Sequence, residues 1–294
     1  MINRRSEGVD AKARYEKRMQ MVCQYIYQHL DEVLTVEILS EVAHFSKHHF
    51  HRQFSEYMGI NVFKFIQQLR LKRASYELVF RPEKRIVDIA MDAQFDHPES
   101  FSRAFKKTFG QSPRAFRQEP NWLNWRQECP VTDNQMEQST QVNIVEFTET
   151  PVAVYEHRGP FGQIVASSSA FQASLKRIGI NPLLKGRSFG LVYNDPKEVA
   201  PEDFRYDLAV KVTQPIIEND EGIVRKVIAG GRCAVLRHLG SRDNLDDSVR
   251  TLYGAWLPNS GEELRDAPCF FAFLNSLADV AEHELITDIY LPLI

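Results

Sequence analysis

The chain has 294 residues, 43% hydrophobic and 26% charged, with a formal net charge of −3. That composition fits a globular protein of about two domains and excludes a fibrous or disordered chain. No stretch approaches the roughly 18 apolar residues of a membrane-spanning helix, and no apolar run follows Arg4-Arg5 to make an export signal. The cysteines at 23, 129, 233 and 269 form no C-x-x-C, which predicts a reducing, cytoplasmic setting. The charge is uneven. Residues 1–120 carry 20 Lys+Arg against 15 Asp+Glu, a net of +5, with six of the nine His, while residues 121–294 carry 16 against 24, a net of −8. A basic first half and an acidic second half predict nucleic-acid contact by the first half alone.

Tyr15, Met19, Val22, Ile26 and Leu30 recur at helical spacing and predict an amphipathic helix. Val36 to Ala43 reads as a short helix with Thr35 as its N-cap, followed by the turn His44-Phe45-Ser46, with Ser46 able to cap the next helix. Val62 to Phe80 mixes ten apolar residues, Phe63 and Leu71 among them, with Lys64, Arg70, Lys72 and Arg73, and predicts one long helix with a buried and a wet side. Ile86 to Ala93 repeats the short helix, with Gln94-Phe95-Asp96 as its turn. Asp96 and Glu99 approach a capping box around Pro98, and Ser112-Pro113 opens a further helix.

One pattern is written twice, 51 residues apart. Phe50-His51-Arg52-Gln53-Phe54 with Gly59 and Phe101-Ser102-Arg103-Ala104-Phe105 with Gly110 both read F-x-R-x-F-x4-G. Phenylalanines four apart share one helix face, so the intervening Arg52 and Arg103 face outward. Each Gly suits the left-handed position past a helix end. Short helix, tight turn and second helix make a helix-turn-helix, whose second helix enters the major groove. His44 and Gln94 stand where a Gly often sits in that turn, at some conformational cost.

The stretch Ile86-x2-Ile89-Ala90, Phe95, Phe101 to Lys107, Gly110-x-Ser112-Pro113-x2-Phe116-Arg117 resembles the signature of AraC/XylS-type transcription regulators, and the resemblance covers roughly residues 15–118. It implies an all-α DNA-binding domain with two recognition helices in successive major-groove segments. The base-contacting positions carried over are His48, His51 and Arg52 in the first helix and Glu99 and Arg103 in the second. Glu99 stands either as a cap at the third helical position or as a base contact. Lys106 and Lys107 are expected on phosphates. His48 and His51 share a face, but with no Cys or carboxylate at ligand spacing beside them, no metal site is expected.

Between 119 and 141 the pattern lapses into a polar, Pro-interrupted linker, in which Trp122 and Trp125 are expected to dock on one domain. Thereafter Val142 to Thr148, Val152 to His157, Tyr206 to Val212 and Ala234 to Leu239 alternate as strands, with helical patterns at Ile164 to Ile178 and Leu245 to Trp256. Ala153-Val154-Tyr155-Glu156-His157-Arg158-Gly159 recurs 81 residues later as Ala234-Val235-Leu236-Arg237-His238-Leu239-Gly240. Two strand-helix-strand repeats predict an α+β domain over 142–294 with pseudo-twofold symmetry and a cleft between the repeats.

This half resembles the gyrase-inhibitor-like (GyrI-like) effector-binding domain. The matching residues are Val154-x2-His157-x-Gly159-Pro160-Phe161, Gly190-Leu191-x-Tyr193-x-Asp195-Pro196, Arg205-Tyr206-Asp207, Trp256-Leu257-Pro258-x-Ser260-Gly261, Pro268-Cys269-Phe270 and Leu285-x-Thr287-Asp288-Ile289-Tyr290-x-Pro292. The resemblance implies a pocket for small molecules, with Phe161, Tyr193, Trp256, Phe271 and Phe273 as candidate walls, each of which plain core packing would explain equally well. After Pro-Cys-Phe the family often carries a Glu, as counter-charge or catalytic base. Here Phe271 stands in its place, and nothing in the sequence puts Glu156 or Glu284 in the cleft instead. A neutral or aromatic effector is therefore expected over a cation, or a protein partner in place of a ligand. No G-x-S-x-G or H-E-x-x-H occurs, and Ser167-Ser168-Ser169 reads as a polar helix face. The expectation is a cytoplasmic DNA-binding regulator without cofactor, contacting double-stranded DNA and a small molecule, with RNA polymerase as a further partner. The alternatives are a tethered hydrolase or a protein-sequestering module.

Overall fold

A computed structural model describes residues 4–121, 141–180, 188–216 and 219–294. The chain divides into two compact units, 1–136 and 137–294. Trp122, Trp125, Cys129 and nearly all of the expected linker lie outside the described residues.

Among the described residues the first unit is all helical: α1 (Arg4–Gln28), α2 (Val36–Val42), α3 (Lys47–Met58), α4 (Val62–Phe80), α5 (Ile86–Asp92), α6 (Pro98–Phe109) and α7 (Pro113–Gln118). Met19, Val22 and Ile26 of α1 are fully buried against Leu39, Phe50, Phe54 and Phe65, as the spacing predicts. Caps set the boundaries. Thr35 Oγ1 accepts from the Ile38 N–H at 3.3 Å and Ser112 Oγ from the Ala115 N–H at 3.2 Å, each satisfying a donor the helix start leaves open. Ser46 occupies its N-cap position without a side-chain cap bond. Gly59 and Gly110 close α3 and α6 at φ 71° and 74°.

Two expectations fail here. Asp96 is not the cap of α6; His97 is, with no side-chain cap bond, and Pro98 follows at the first helical position. The ring of Pro98 drives its predecessor into extended backbone (φ −132°, ψ 129°), which moves the start one residue on and leaves Glu99 at the second helical position. The second failure is in α4, where no wet side runs the whole length. Lys72 at its middle and Glu77 towards its C-terminal end are buried, while Phe63 at its start is 52% exposed. Glu77 is held by Lys84 Nζ at 2.5 Å and Arg73 Nε at 3.4 Å. A buried carboxylate needs such partners.

Among the described residues the second unit is built on one eight-stranded antiparallel sheet, in the order β1-β6-β8-β7-β3-β4-β2-β5. The strands are β1 (Val142–Phe147), β2 (Thr150–Arg158), β3 (Ser188–Val192), β4 (Arg205–Lys211), β5 (Val224–Ile228), β6 (Gly231–Leu239), β7 (Cys269–Phe273) and β8 (Ile286–Pro292). Helix α8 (Ile164–Arg177) follows β2. Helix α9 (Leu245–Arg250) follows β6 and runs through a π-helical turn, Thr251–Trp256, into α10 (Leu257–Ser260). The expected repeats are thus present, β1-β2-α8-β3-β4 and β5-β6-α9/α10-β7-β8, joined at the centre where Gly190 of β3 pairs with Phe271 of β7.

The outer pairing is exchanged. The first strand of each repeat pairs with the second strand of the other: Val145 of β1 with Cys233 of β6, and Val152 of β2 with Lys226 of β5. The two short turns that follow β1 and β5 meet backbone to backbone, since a Cβ on Gly230 would lie 2.9 Å from the Glu149 nitrogen. Strand alternation then makes two cores. Ala153, Tyr206, Leu208, Ala234, Leu236, Phe271 and Ile289 pack with Phe171, Leu175 and Leu252 of the helices. Val152, Val154, Phe189, Leu191, Cys233 and Phe270 pack on the opposite face with Phe147 and Tyr290.

Candidate nucleic-acid interface and effector face

In the first unit the anchors are Phe50 and Phe54 in α3 and Phe101, Phe105 and Phe109 in α6, all fully buried. Phe54 meets Phe65 edge-on at 5.5 Å, and Phe105 meets Phe116 edge-on at 5.4 Å. With those faces turned inward, His48, His51 and Arg52 of α3 and Glu99, Arg103, Lys106 and Lys107 of α6 are all exposed, as helix geometry requires. Arg103 Nη2 donates to Ser100 Oγ at 3.3 Å.

The turn before each helix has one construction. Phe45 N–H bonds to Ser40 O and His44 N–H to Glu41 O. Phe95 N–H bonds to Ala90 O and Gln94 N–H to Met91 O. Each is a Schellman closure, and among the described residues His44 (φ 52°) and Gln94 (φ 58°) are the two non-glycine residues with positive φ. Gln94 Nε2 also donates to Asp31 O at 2.7 Å. One feature escaped the sequence: the half-exposed Phe63 ring lies 6.4 Å from the His51 ring, an apolar rim beside the first reading helix.

In the second unit the wall candidates do not share one face. Phe271 and Phe273 lie on the helix-covered face, 6.4 Å apart and edge-on, and Phe271 is 8% exposed. Trp256 packs against the same core from the π turn. Phe161 is 40% exposed and meets the buried Phe204 edge-on at 5.5 Å. Tyr193 lies on the other face. Its hydroxyl donates to Asp207 Oδ2 at 2.6 Å, and Arg205 and Lys226 sit 5.1 and 5.8 Å from its ring centroid. Burial first, and then the Asp207 carboxylate, push its phenol up to about 12. Glu156 also belongs to that other face, bound to Lys226 at 2.6 Å, and Glu284 accepts from the Ala281 N–H at the start of its own short 3-10 helix. Neither carboxylate stands among the helix-face aromatics.

Residues outside the expected wall complete the helix face. Tyr206 lies across the sheet with its hydroxyl above Gly190, where a Cβ would come within 1.7 Å of the oxygen. Burial raises its pKa. Tyr253, in the π turn, stands beside Cys269; burial and then the thiol raise its pKa. Burial pushes the Cys269 thiol up to about 12. The Arg242 guanidinium lies 4.2 Å over the Phe273 ring, and its Nη2 donates to Asn275 O at 3.0 Å.

The repeated histidines are tied to the equivalent serine in both copies, and each also meets a carbonyl of the following turn. His157 Nδ1 pairs with Ser167 Oγ at 2.8 Å and Nε2 with Gly159 O at 3.2 Å. His238 Nδ1 pairs with Ser248 Oγ at 2.9 Å and Nε2 with Ser241 O at 2.9 Å. A carbonyl can only accept, so Nε2 carries the hydrogen and, in the neutral ring, each serine hydroxyl donates to Nδ1. Ser167 is therefore a fastening between helix and strand and not simply polar surface.

Two parts of the chain match known domain families. Residues 140–294 match the GyrI-like small molecule binding domain, and residues 39–119 match a helix-turn-helix domain. The chain is similar to the Escherichia coli (strain K12) "Probable transcriptional regulator YgiV", 38% identical over 152 residues, covering 52% of this chain and 95% of that one. It is also similar to "Transcriptional regulator Rob" of Salmonella typhimurium (strain LT2), 23% identical over 252 residues, covering 78% of this chain and 81% of that one. Among solved structures it resembles a cryo-EM EcmrR–DNA complex, with TM-score 0.44 and 13% identity over 88% of this chain and 98% of that one.

Proposed function

The chain belongs to the GyrI-like small-molecule-binding family and carries an AraC-type helix-turn-helix half, and from that premise we propose how this transcription regulator reads DNA and senses an effector. The observation that carries the reading is the duplicated helix-turn-helix, with Arg52 and Arg103 exposed behind buried phenylalanine pairs. Residues 1–118 form the DNA reader, 119–141 the linker and 142–294 the sensor. Arg52 and Arg103, with His48 and His51, contact base edges, where a guanidinium fork matches guanine O6 and N7. Lys106 and Lys107 neutralise phosphates. Glu99, at the second helical position of α6, is placed to accept from a base amino group and to complement the helix dipole.

The sensor's ligand is a small aromatic molecule that is not an organic cation, held by Phe271, Phe273 and Trp256 with Phe161 at the rim. Tyr193 is left out of that wall because its ring already lies between Arg205 and Lys226. The protein acts in the cytoplasm on the nucleoid, with RNA polymerase as its partner at the promoter. Hydrolysis is not its role. Ser248 and His238 are buried, and burial lowers the His238 pKa, so the pair lacks both access and basicity.

Selection of bound sequences from random duplexes with the full chain tests the reading. A single recovered motif, with bound DNA released or tightened by an added aromatic compound, is the expected result. Recovery of no motif would overturn it.

A further inference from the structure

We propose that Phe63 is a further specificity-determining residue of the DNA reader, its ring taking the C5 methyl group of a thymine beside the base met by His51. This rests on the DNA-reading assignment above and adds a contact of different chemistry to it. The first support is how the ring is held. Asn61 Oδ1 accepts from the Lys64 N–H at 2.8 Å and starts α4, whose Val62 and Phe65 are fully buried. That docking turns position 63 outward. The Phe63 ring, 52% exposed, comes to lie 6.4 Å from the His51 ring of α3. Bases along one strand follow each other at roughly 3.4 Å, so the ring stands within about two base steps of whatever base His51 meets.

The second support is the duplicate. Counted 51 residues on, Asn61, Val62, Phe63 and Phe65 become Ser112, Pro113, Arg114 and Phe116. The cap and the two buried anchors are kept, with Pro113 and Phe116 buried in α7. Arg114, like Phe63, is exposed. The same place after a reading helix thus holds a ring in one copy and a cation in the other, and a cation there suits a phosphate. The third support is charge. Segments 47–54 and 61–64 contain Lys47, Arg52, Lys64 and three histidines but no carboxylate, and all six of those side chains are exposed. An apolar ring set among cations fits the groove of a polyanion better than the apolar patch of another protein. In the major groove the apolar group that a base pair offers is the thymine methyl, and Phe is among the side chains that meet it. Arg52 and His51 read hydrogen-bonding edges, while Phe63 reads a group that forms no hydrogen bond.

The motif selected from random duplexes supplies the test. Each of its thymines is replaced singly by deoxyuridine, which lacks only the C5 methyl, and the full chain is titrated by fluorescence anisotropy. A thymine within about two steps of the base that responds to His51→Ala should lose about fourfold in affinity as uracil, the transfer value of one buried methyl group. Phe63→Ala should bind both duplexes alike, at the parent's uracil affinity. Its salt slope should be unchanged, because no phosphate contact is lost. Phe63→Arg, after the residue of the second helix-turn-helix, should lose the methyl preference and steepen the salt slope. It also decides the matter should Phe63→Ala fail to fold. If no thymine there responds to uracil, or if the methyl preference persists in the variants, the contact is wrong and the DNA-reading assignment survives. If no motif is recovered at all, both fall.

Discussion

The two reading helices share a skeleton and differ in chemistry. Both bury a phenylalanine pair, both end on a left-handed glycine and both follow a Schellman turn closed by a strained non-glycine residue. Yet α3 presents His48, His51 and Arg52 beside the Phe63 ring, whereas α6 presents Glu99, Arg103, Lys106 and Lys107. The sensor's two repeats diverged in the same manner. The buried His–Ser fastening is kept in both, while Phe161 in one becomes Arg242 in the other and Glu156 becomes Arg237. A duplicated unit must keep what its core requires, but a surface position carries no such demand, so the exposed residues are where the copies part.

That comparison can be broken at several depths. The deepest cut is Phe54→Ala against Phe105→Ala. Each empties a fully buried ring site, and each should cost about 3–5 kcal/mol in denaturant unfolding; a difference between them beyond ~2 kcal/mol would show that the units do not carry equal anchors. Next comes the sensor's fastening. Ser248→Ala leaves the buried His238 Nδ1 without its donor and should cost about 1–3 kcal/mol, with Ser167→Ala, at a less buried site, costing less.

The same site has a pH signature. Burial holds the His238 pKa below its ordinary 6.5. Between the two values the unfolded chain binds a proton that the folded one does not. The contribution is therefore full above about pH 6.5 and is lost as pH falls below it, at up to ~1.4 kcal/mol per unit. Melting midpoints from pH 7.5 to 5 should fall in the parent and flatten in His238→Gln.

Surface changes should be smaller in stability and visible in binding. Arg52→Ala and Arg103→Ala should each weaken specific DNA binding by about 1–3 kcal/mol with unchanged melts. Identical binding by parent and variants on the selected site would mean the outward faces are not the reading faces. The smallest effect lies in the turns. His44→Gly should stabilise by up to ~1 kcal/mol, because a left-handed non-glycine residue is strained by ~1–2 kcal/mol. Gln94→Gly should be near neutral, since it also forfeits the bond to Asp31 O.

Local rules made much of this legible in the sequence. The anchors, the glycine ends, the Thr35 and Ser112 caps and the strand alternation depend on neighbours within a few residues, and they stand where periodicity puts them. The misses have longer causes. Pro98 overrode the Asp96 cap through the backbone of His97. Lys72 and Phe63 exchanged their expected environments because tertiary packing, not the pattern within α4, decides what covers each side. Tyr193 lies on the wrong face for a wall because parity counted from β3 sends it towards Asp207. Arg242 became visible only when the fold brought the turn after β6 onto Phe273.

The exchanged strands also set an order of events at the ribosome. The helical unit can complete itself from contiguous sequence as soon as it emerges. Strand β1 cannot, because its partner β6 is still unmade: Val145 waits for Cys233, a gap that translation at ~5–20 residues per second crosses in roughly 5–20 s. During that interval the helical unit has all its sequence and the sheet does not, so each new molecule passes through a stage with a complete helix-turn-helix pair and an unclosed sheet.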